Sequence, residues 1–462
     1  MTKQEAVINY ISENYLAFNR LRHDVISDKL QVRCAHSLSA PHNATSVIGD
    51  PAEDASLQNA PEGLLFRDSE YWREMTKHDI NSIVCHCAQE YDANITSREV
   101  MTALQSDLIP DVHPLREYIQ SLRPYTPEQP DWIDFVAQQV RVRESGSNGS
   151  KGSKGEDTFG TSGTFRTSST KADRLWRVCF KKWFVAMVAS WMQDEVVNHQ
   201  VLVLIGRQGI YKTTWLEHLL PPHLRAYACK LANSNDLNKD ERLRIAEFGL
   251  ISLDEIDSMN NRELNQLKSV ITASDVNERA AYAYTKERRV RLASFCASGN
   301  RRDFLTDITG NRRWLPFEVE SILNPFYTTL PYDLMYAQAW ALAQDPLFGY
   351  WFDLNEIEVL EQHNQHFRDE SNEEQLLDVY FAVPSTEASN AKFLTTAEIS
   401  ERLIYYGNIK KPMTLSRLGV LLSQKGFLSV RRGNPSRRGW IIYERESQEV
   451  NSERSILSKD LY

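Results

Sequence analysis

Lys212, Thr213, Asp254 and Glu255 have the residue types and spacing that point most directly to chemistry. The first two lie in Val201 to Thr214, VLVLIGRQGIYKTT, whose five apolar residues Val201 to Ile205 predict a strand buried on both faces. Gly206 ends that strand and Gly209 loosens the turn. Lys212, Thr213 and Thr214 then open a helix through Trp215, Leu216, Leu219 and Leu220, which Pro221 and Pro222 stop. A strand, a glycine turn and a helix beginning Lys-Thr suit phosphate, because backbone N–H groups face the anion. Lys212 would reach the β/γ-phosphates and the Thr213 hydroxyl would hold Mg²⁺. Tyr211 stands where the usual spacing wants glycine, and an ordinary strand-to-helix turn with a chance lysine is the competing account.

A second buried-strand run, Phe248 to Leu253, ends in Asp254 and Glu255. Asp254 can orient the water shell of Mg²⁺ and Glu255 can polarise an attacking water. The plainer alternative is a helix cap with a first-turn acid. Two adjacent strands ending in complementary halves of one site favour the chemical reading. A third strand, Val290 to Ala297, ends in Ser298-Gly299-Asn300, so Asn300 could position water and sense a γ-phosphate. Arg312 and Arg313 precede a strand, WLPFEV, and could stabilise charge on a transferring phosphoryl group. Surface salt bridging is their ordinary use.

This ordered set resembles the virulence-associated protein E family, within the superfamily 3 helicase-like branch of the AAA+ ATPases. The resemblance spans about residues 173–320 and rests on GRQGIYKTT, LISLDEID, ELNQLKSVIT with ERAAYAY, the SGN tip and FLTDITGNRRWLPFEV. It implies ATP and Mg²⁺ as cofactors, with Gly206, Gly209, Lys212, Thr213 and Thr214 at the nucleotide, Thr213 and Asp254 at the metal, and Asn300 as sensor. Arg312 or Arg313 would supply a finger into a neighbouring subunit's site, within a homo-oligomeric ring, possible as a hexamer. Lys268 and the segment from Arg279 to Arg291, with Arg288 and Arg289, match a hairpin that touches single-stranded DNA in the pore of related rings. Tyr211 departs from the family's glycine, which bears on turnover more than on binding. The family further implies a bacterial phage, plasmid or integrative-element replication function.

These motifs need a parallel sheet flanked by helices, with nucleotide at the strands' carboxyl ends. The expected fold is an α/β P-loop, AAA+-like ATPase core with a mainly helical N-terminal domain and a C-terminal winged helix-turn-helix. With 462 residues the chain is long enough for two to four domains. Residues 1–143 are expected to form the N-terminal domain. Helical stripes (Ile80, Ile83, Val84; Val100, Met101, Leu104) run through it, with a Ser/Ala/Asn/Pro-rich insert at 34–62. Residues 144–172 are a Gly/Ser-rich linker. The ATPase domain is placed at 173–345, beginning with an aromatic helix (Trp176, Phe180, Trp183, Phe184, Val188, Trp191) that packs on the sheet. Residues 346–380 read as an acidic, solvated helical bridge, 381–445 as the winged helix, and 446–462 as a polar tail.

Net charge is −9 overall, yet residues 391–445 hold 11 Lys/Arg against 3 Asp/Glu; that +8 leaves −17 for the rest. Thr396 caps one helix, Leu415 to Lys425 form another ended by Gly426, and LSVRRGNPSRRGWIIY reads as a hairpin turning at Gly433-Asn434-Pro435. Arg431, Arg432, Arg437 and Arg438 flank its tip and suit duplex DNA phosphates, while Arg417 lies on the helix that would enter a major groove. Solvated arginines on a packing module are the alternative.

Six scattered cysteines suggest reduced thiols and a cytoplasmic home. Cys85-His86-Cys87 reads as buried thiols, its spacing being too tight for the usual zinc patterns. No apolar run is long enough to span a bilayer, so no membrane partner is expected. The sum is an ATP-hydrolysing, DNA-binding, helicase-like motor. Two alternatives stay open: an ATP-dependent DNA-binding switch, and a DNA-binding regulator with a decayed ATP site.

Overall fold

A computed structural model describes residues 1–35, 70–144, 170–231, 239–278, 287–305, 311–368, 371–384, 391–433 and 436–445. The chain is mixed α/β. Its N-terminal part holds α1 (Lys3–Ile11), β1 (Leu21–Asp24), β2 (Lys29–Ala35), β3 (Glu70–Glu74), α2 (Lys77–Glu90), α3 (Ser97–Leu104) and β4 (Asp111–Val112). Val7, Ile11, Ile83, Val100 and Leu104 close a helical core, the last three as their stripes predict. Beside these helices its strands form a four-stranded sheet in the order β3-β2-β1-β4. β3 pairs with β2 from across the residues expected to form an insert. Most of that insert, 36–62, lies outside the described residues, as do 145–169 of the linker and the 446–462 tail. Cys87 is buried but Cys85 is exposed, against the expectation of two buried thiols.

Packing changes partner before the expected boundary at 143. Leu115 and Ile119 of α4 (Pro114–Ser121), Ile133 and Val136 of α5 (Trp132–Ala137), and Val140 of β5 (Val140–Val142) share one core with α6 (Lys171–Met192). That core covers one face of a six-stranded sheet ordered β5-β12-β6-β11-β8-β7. Its other strands are β6 (Val201–Ile205), β7 (Ala228–Leu231), β8 (Leu250–Leu253), β11 (Ser294–Gly299) and β12 (Trp314–Ile322). Every neighbouring pair among them is parallel, while β5 joins the edge antiparallel to β12. The sheet is therefore parallel with one antiparallel edge. β6 alternates as a two-faced strand must: Leu202 and Leu204 enter the α6 core, and Val201, Val203 and Ile205 enter the opposite one. On α6, the indole N–H groups of Trp176, Trp183 and Trp191 donate to the carbonyls of Ala137, Phe295 and Gly249, at 2.8, 3.1 and 3.0 Å. Those bonds satisfy the polar edge of each buried ring.

α7 (Lys212–Glu217) follows β6 and is shorter than its apolar pattern suggests. α8 (Lys239–Glu247) and α9 (Asn261–Thr272) lie on the second face, where Leu264, Leu267 and Ile271 are buried. The strand expected over 290–297 is two pieces: β10 (Glu287–Val290) pairs with β9 (Asp275–Glu278) in a ribbon, and β11 starts afresh at Ser294. α10 (Tyr332–Gln344) packs on α6. α11 (Leu354–Asn364) is no solvated bridge. Asn364 Nδ2 donates to the Asn311 and Trp314 carbonyls at 2.9 and 3.0 Å, and Leu360 is buried.

The C-terminal unit comprises α12 (Asn372–Tyr380), β13 (Phe381–Ala382), β14 (Lys392–Leu394), α13 (Thr396–Gly407), α14 (Leu415–Gln424), β15 (Leu428–Arg432) and β16 (Arg437–Glu444). Thr395, not Thr396, caps α13, accepting from Glu398 N while Glu398 reaches back. β15, β14 and β13 all pair with β16 over a core of Leu403, Leu418, Leu422 and Trp440. The acids of α12 are used internally: Glu374 is buried against Arg368 at 2.9 Å, and Glu373 accepts from Met413 N at 2.8 Å. Among the described residues, no helix is long and apolar enough to cross a membrane.

Candidate functional site

The carboxyl ends of β6, β11 and β8 bring five sequence-derived residues together. Gly206 leaves β6 with no room for a side chain, since a Cβ there would lie 2.8 Å from the Val319 carbonyl oxygen. Gly209 has φ +85 and open space where its Cβ would be. Tyr211 takes the left-handed conformation, with φ 66 and ψ 18, at the position where glycine was expected. That conformation costs a bulky residue on the order of 1 kcal/mol. Lys212 follows at 7% exposure, its Nζ donating to the Gly206 and Arg207 carbonyls at 2.7 Å each and to Asn300 Oδ1 at 3.3 Å. Burial lowers its pKa, opposed by the charges of Asp257 and Asp254. The ammonium is thus curled over the turn, and among the described residues no carboxylate is in hydrogen-bond contact with it.

β8 is not beside β6; β11 lies between them. The two halves of the site are joined by a residue whose position in the sequence does not mark it for that role. Ser298 Oγ lies 2.9 Å from Thr213 Oγ1 and donates to Asp254 Oδ1 at 2.7 Å, while Thr213 Oγ1 donates to the same oxygen at 3.2 Å. Lys230 pairs with Asp254 Oδ2 at 3.0 Å. Despite partial burial, hydrogen bonds from Ser298 and Lys230 hold the Asp254 carboxyl below its usual range. Thr213 and Asp254 offer hard oxygen donors in one place, which suits Mg²⁺ bound by one carboxylate and a hydroxyl. Glu255 is exposed, in the left-handed region at φ 52. Asn300 sits at the tip of β11. Asp257 fixes that tip, accepting from Asn300 N at 3.0 Å and Arg301 N at 3.3 Å. The LDEID spacing was the available signal for Asp257, whereas Ser298 and Lys230 act only through strand neighbours. Thr214 lies in the first turn of α7, and its carbonyl is 2.7 Å from His218 Nδ1.

Arg312 and Arg313 are not part of this constellation. They precede Trp314, which pairs with Val201 at the amino end of the sheet. The phosphate-type turn lies at the other end of β6, roughly 15 Å away at about 3.3 Å per strand residue. Arg312 is exposed and Arg313 half-buried. Both lie near His199, whose pKa falls through burial first and then the charges of Arg291, Arg313 and Arg312.

The segment expected to touch single-stranded DNA divides. Lys268 lies half-buried on α9. Arg279 falls outside the described residues, and Arg288 is described only as backbone of β10. Arg289 is engaged by Glu247 at 3.4 Å and Asp28 at 3.7 Å, so it ties the ribbon to the fold. Arg291 is 1% exposed and donates to the carbonyls of Ala293 at 3.1 Å and Asn198 at 2.9 Å, and also to that of Ile271. It is an internal anchor. On the C-terminal hairpin, Arg431, Arg432, Arg437 and Arg438 are all exposed, with Arg431 opposite Arg438 and Arg432 opposite Arg437. Arg417 is exposed on the first turn of α14. Asn434 and Pro435 of the tip lie outside the described residues.

A buried lysine over a glycine turn thus lies beside a hydroxyl–carboxylate pair from the ends of two strands, group types that suit polyphosphate and a divalent cation. Residues 157–370 match the family model of the virulence-associated protein E-like domain. No curated protein matches the sequence. Among solved structures, the apo NrS-1 C-terminal region is similar at 11% identity, covering 96% of this chain and 100% of that one, with a TM-score of 0.43. An A-form apo structure of the same region gives 10% identity, 93% and 98% coverage and a TM-score of 0.41.

Proposed function

We propose that this chain is a Mg²⁺-dependent ATPase that acts on DNA in mobile-element or phage replication. Its central sheet would be a P-loop, AAA+-like core, and its C-terminal unit a winged helix. The observation that carries the reading is the Lys212–Asn300 contact beside the Thr213–Ser298–Asp254 chain. It unites cation, hydroxyl, carboxylate and amide at the ends of three neighbouring strands. The strand order supports it, since ligands of open α/β sheets sit at the carboxyl ends of the strands. Lys212 exchanges its carbonyl contacts for β/γ-phosphate oxygens, which also relieves part of its burial cost. Thr213 and Asp254 hold Mg²⁺, which supplies charge neutralisation for the phosphates when bound. Glu255, exposed next to that position, orients and deprotonates the attacking water, and Asn300 aligns it.

DNA contact is assigned to the hairpin arginines and Arg417, supported by their exposure and by the local surplus of positive charge. The virulence-associated E-like domain supports the replication setting. In this reading the ATPase unit runs from 114 to about 368, the span over which packing around the sheet is continuous. ATP turnover measured with and without single-stranded DNA tests the proposal. Turnover stimulated by DNA is expected; DNA binding with no ATP turnover would favour a regulator with a decayed site.

A further inference from the structure

The loop after β12 leaves aromatic side chains in solvent beside the phosphate-type turn. Phe326 is 70% exposed and Tyr327 89%. The loop is ordered by its own bonds: Asn324 Oδ1 accepts from Phe326 N at 3.0 Å, and the Asn324 carbonyl accepts from Tyr327 N at 3.1 Å and Thr328 Oγ1 at 3.0 Å. It is also fastened to the turn. Asn324 Nδ2 donates to the Tyr211 hydroxyl at 3.4 Å. The Phe326 ring meets Tyr211 edge-on at 6.5 Å between centroids and His218 at 5.6 Å.

We propose that Phe326 and Tyr327 form a stacking platform for the base of the nucleotide whose phosphates Lys212 holds. The inference rests on the phosphate-site reading above. Tyr211 decides the occupant. It directly precedes Lys212 and touches the platform, so a ligand seated at the lysine has its next group within reach of the rings. Two exposed aromatic side chains, consecutive in a loop ordered by its own hydrogen bonds, are poor use of surface unless a planar, apolar group covers them. Contact with the platform also accounts for a tyrosine at a glycine-like position: edge contact with Phe326 and the bond from Asn324 offset the backbone strain. Stacking uses the π-face that every base has, so this platform takes nucleotides without strong discrimination between their bases.

Calorimetric titration of the full chain with ATP, GTP and inorganic triphosphate tests this, using wild type, Phe326→Ala and Tyr327→Ala. Phe326→Ala is expected to weaken ATP and GTP binding about tenfold, as removal of one stacked ring should. Triphosphate binding should be unchanged, and Phe326→Trp should restore ATP. Tyr327 does not support Tyr211, so a parallel loss in Tyr327→Ala separates stacking from a disturbed turn. Unchanged ATP affinity in both alanine variants overturns the platform while leaving the phosphate site standing. Loss of DNA binding or of self-association in its place assigns the rings to a DNA base or a second copy, and overturns the inference equally. Wild type that binds neither ATP nor triphosphate overturns both readings.

Discussion

Lys212 and Glu255 should fail in different ways when replaced, because one would hold phosphate and the other would act on water. Lys212→Ala removes the buried ammonium over the turn, so ATP affinity should fall at least tenfold. Glu255 is exposed, so Glu255→Gln should keep ATP affinity within a few fold and lose turnover by about a hundredfold or more, in the range of general-base loss. Filter binding and phosphate release separate the two. Equal turnover in wild type and both variants would remove the assignment. That Lys212, Thr213, Asp254 and Asn300 lie near one another was legible in the sequence because each follows a buried strand run, Lys212 and Thr213 across a glycine turn. Ser298 and Lys230 were not legible in their roles, since they meet Asp254 only once β11 and β7 settle on either side of β8. Arg289 and Arg291 misled for a related reason. A run of basic residues gives no hint that one will find Glu247 and another a cage of carbonyls.

Whole elements were readable where one face or both is apolar, as in α6 and β6, and hidden where pairing spans a long loop, as in the β1–β4 sheet. One cap makes an element's stability depend on pH. His113 Nδ1 accepts from Arg116 N at 3.3 Å at the start of α4, and burial, then the Arg116 charge, pushes its pKa down to about 4 from 6.5. Between those values the unfolded chain binds a proton that the folded chain refuses. Stability supplied by this cap is therefore complete above the unfolded value and is lost as pH falls towards the folded one. His199, His223 and His363 are lowered by burial and act in the same direction, while His23, where burial is outweighed by Asp111 and Asp28 together, is raised and acts in the opposite one. Thermal melts from pH about 7.5 to about 4.5 should show a smaller loss for His113→Asn, which caps without titrating. Identical slopes would remove His113 from the account. The hairpin of β15 and β16 invites a salt test of the same kind. Its four exposed arginines would meet phosphates singly, and removing any one of them lowers the salt slope of DNA binding by about one. Replacing all four with alanine should weaken binding to every sequence and flatten its salt dependence, with basal ATPase retained. An unchanged slope would make the hairpin a packing element.

At the scale of the whole molecule, the arginine pair and the phosphate-type turn lie at opposite ends of the same sheet. Arg312 and Arg313 precede the register pair Trp314–Val201, whereas Gly206 follows the pair Glu318–Ile205. A side chain reaches about half the roughly 15 Å that separates them, so within one chain neither arginine can meet a phosphate held by Lys212. A head-to-tail contact between copies removes that obstacle, since it sets the amino end of one sheet against the carboxyl end of the next. Arg313, half-buried and lowered in pKa by burial and by Arg312, gains most from an anionic partner. The ring expected from sequence becomes testable by complementation. Arg312→Ala or Arg313→Ala should keep ATP affinity and lose hydrolysis. Mixed with Lys212→Ala, such a variant should regain part of the wild-type rate, because some interfaces then pair an intact lysine with an intact arginine. Recovery should peak near equal mixing and vanish on dilution below the assembly concentration. No recovery at any ratio, together with a monomeric mass in the presence of ATP, would mean that the two ends of the sheet never meet and that the pair serves only its own surface.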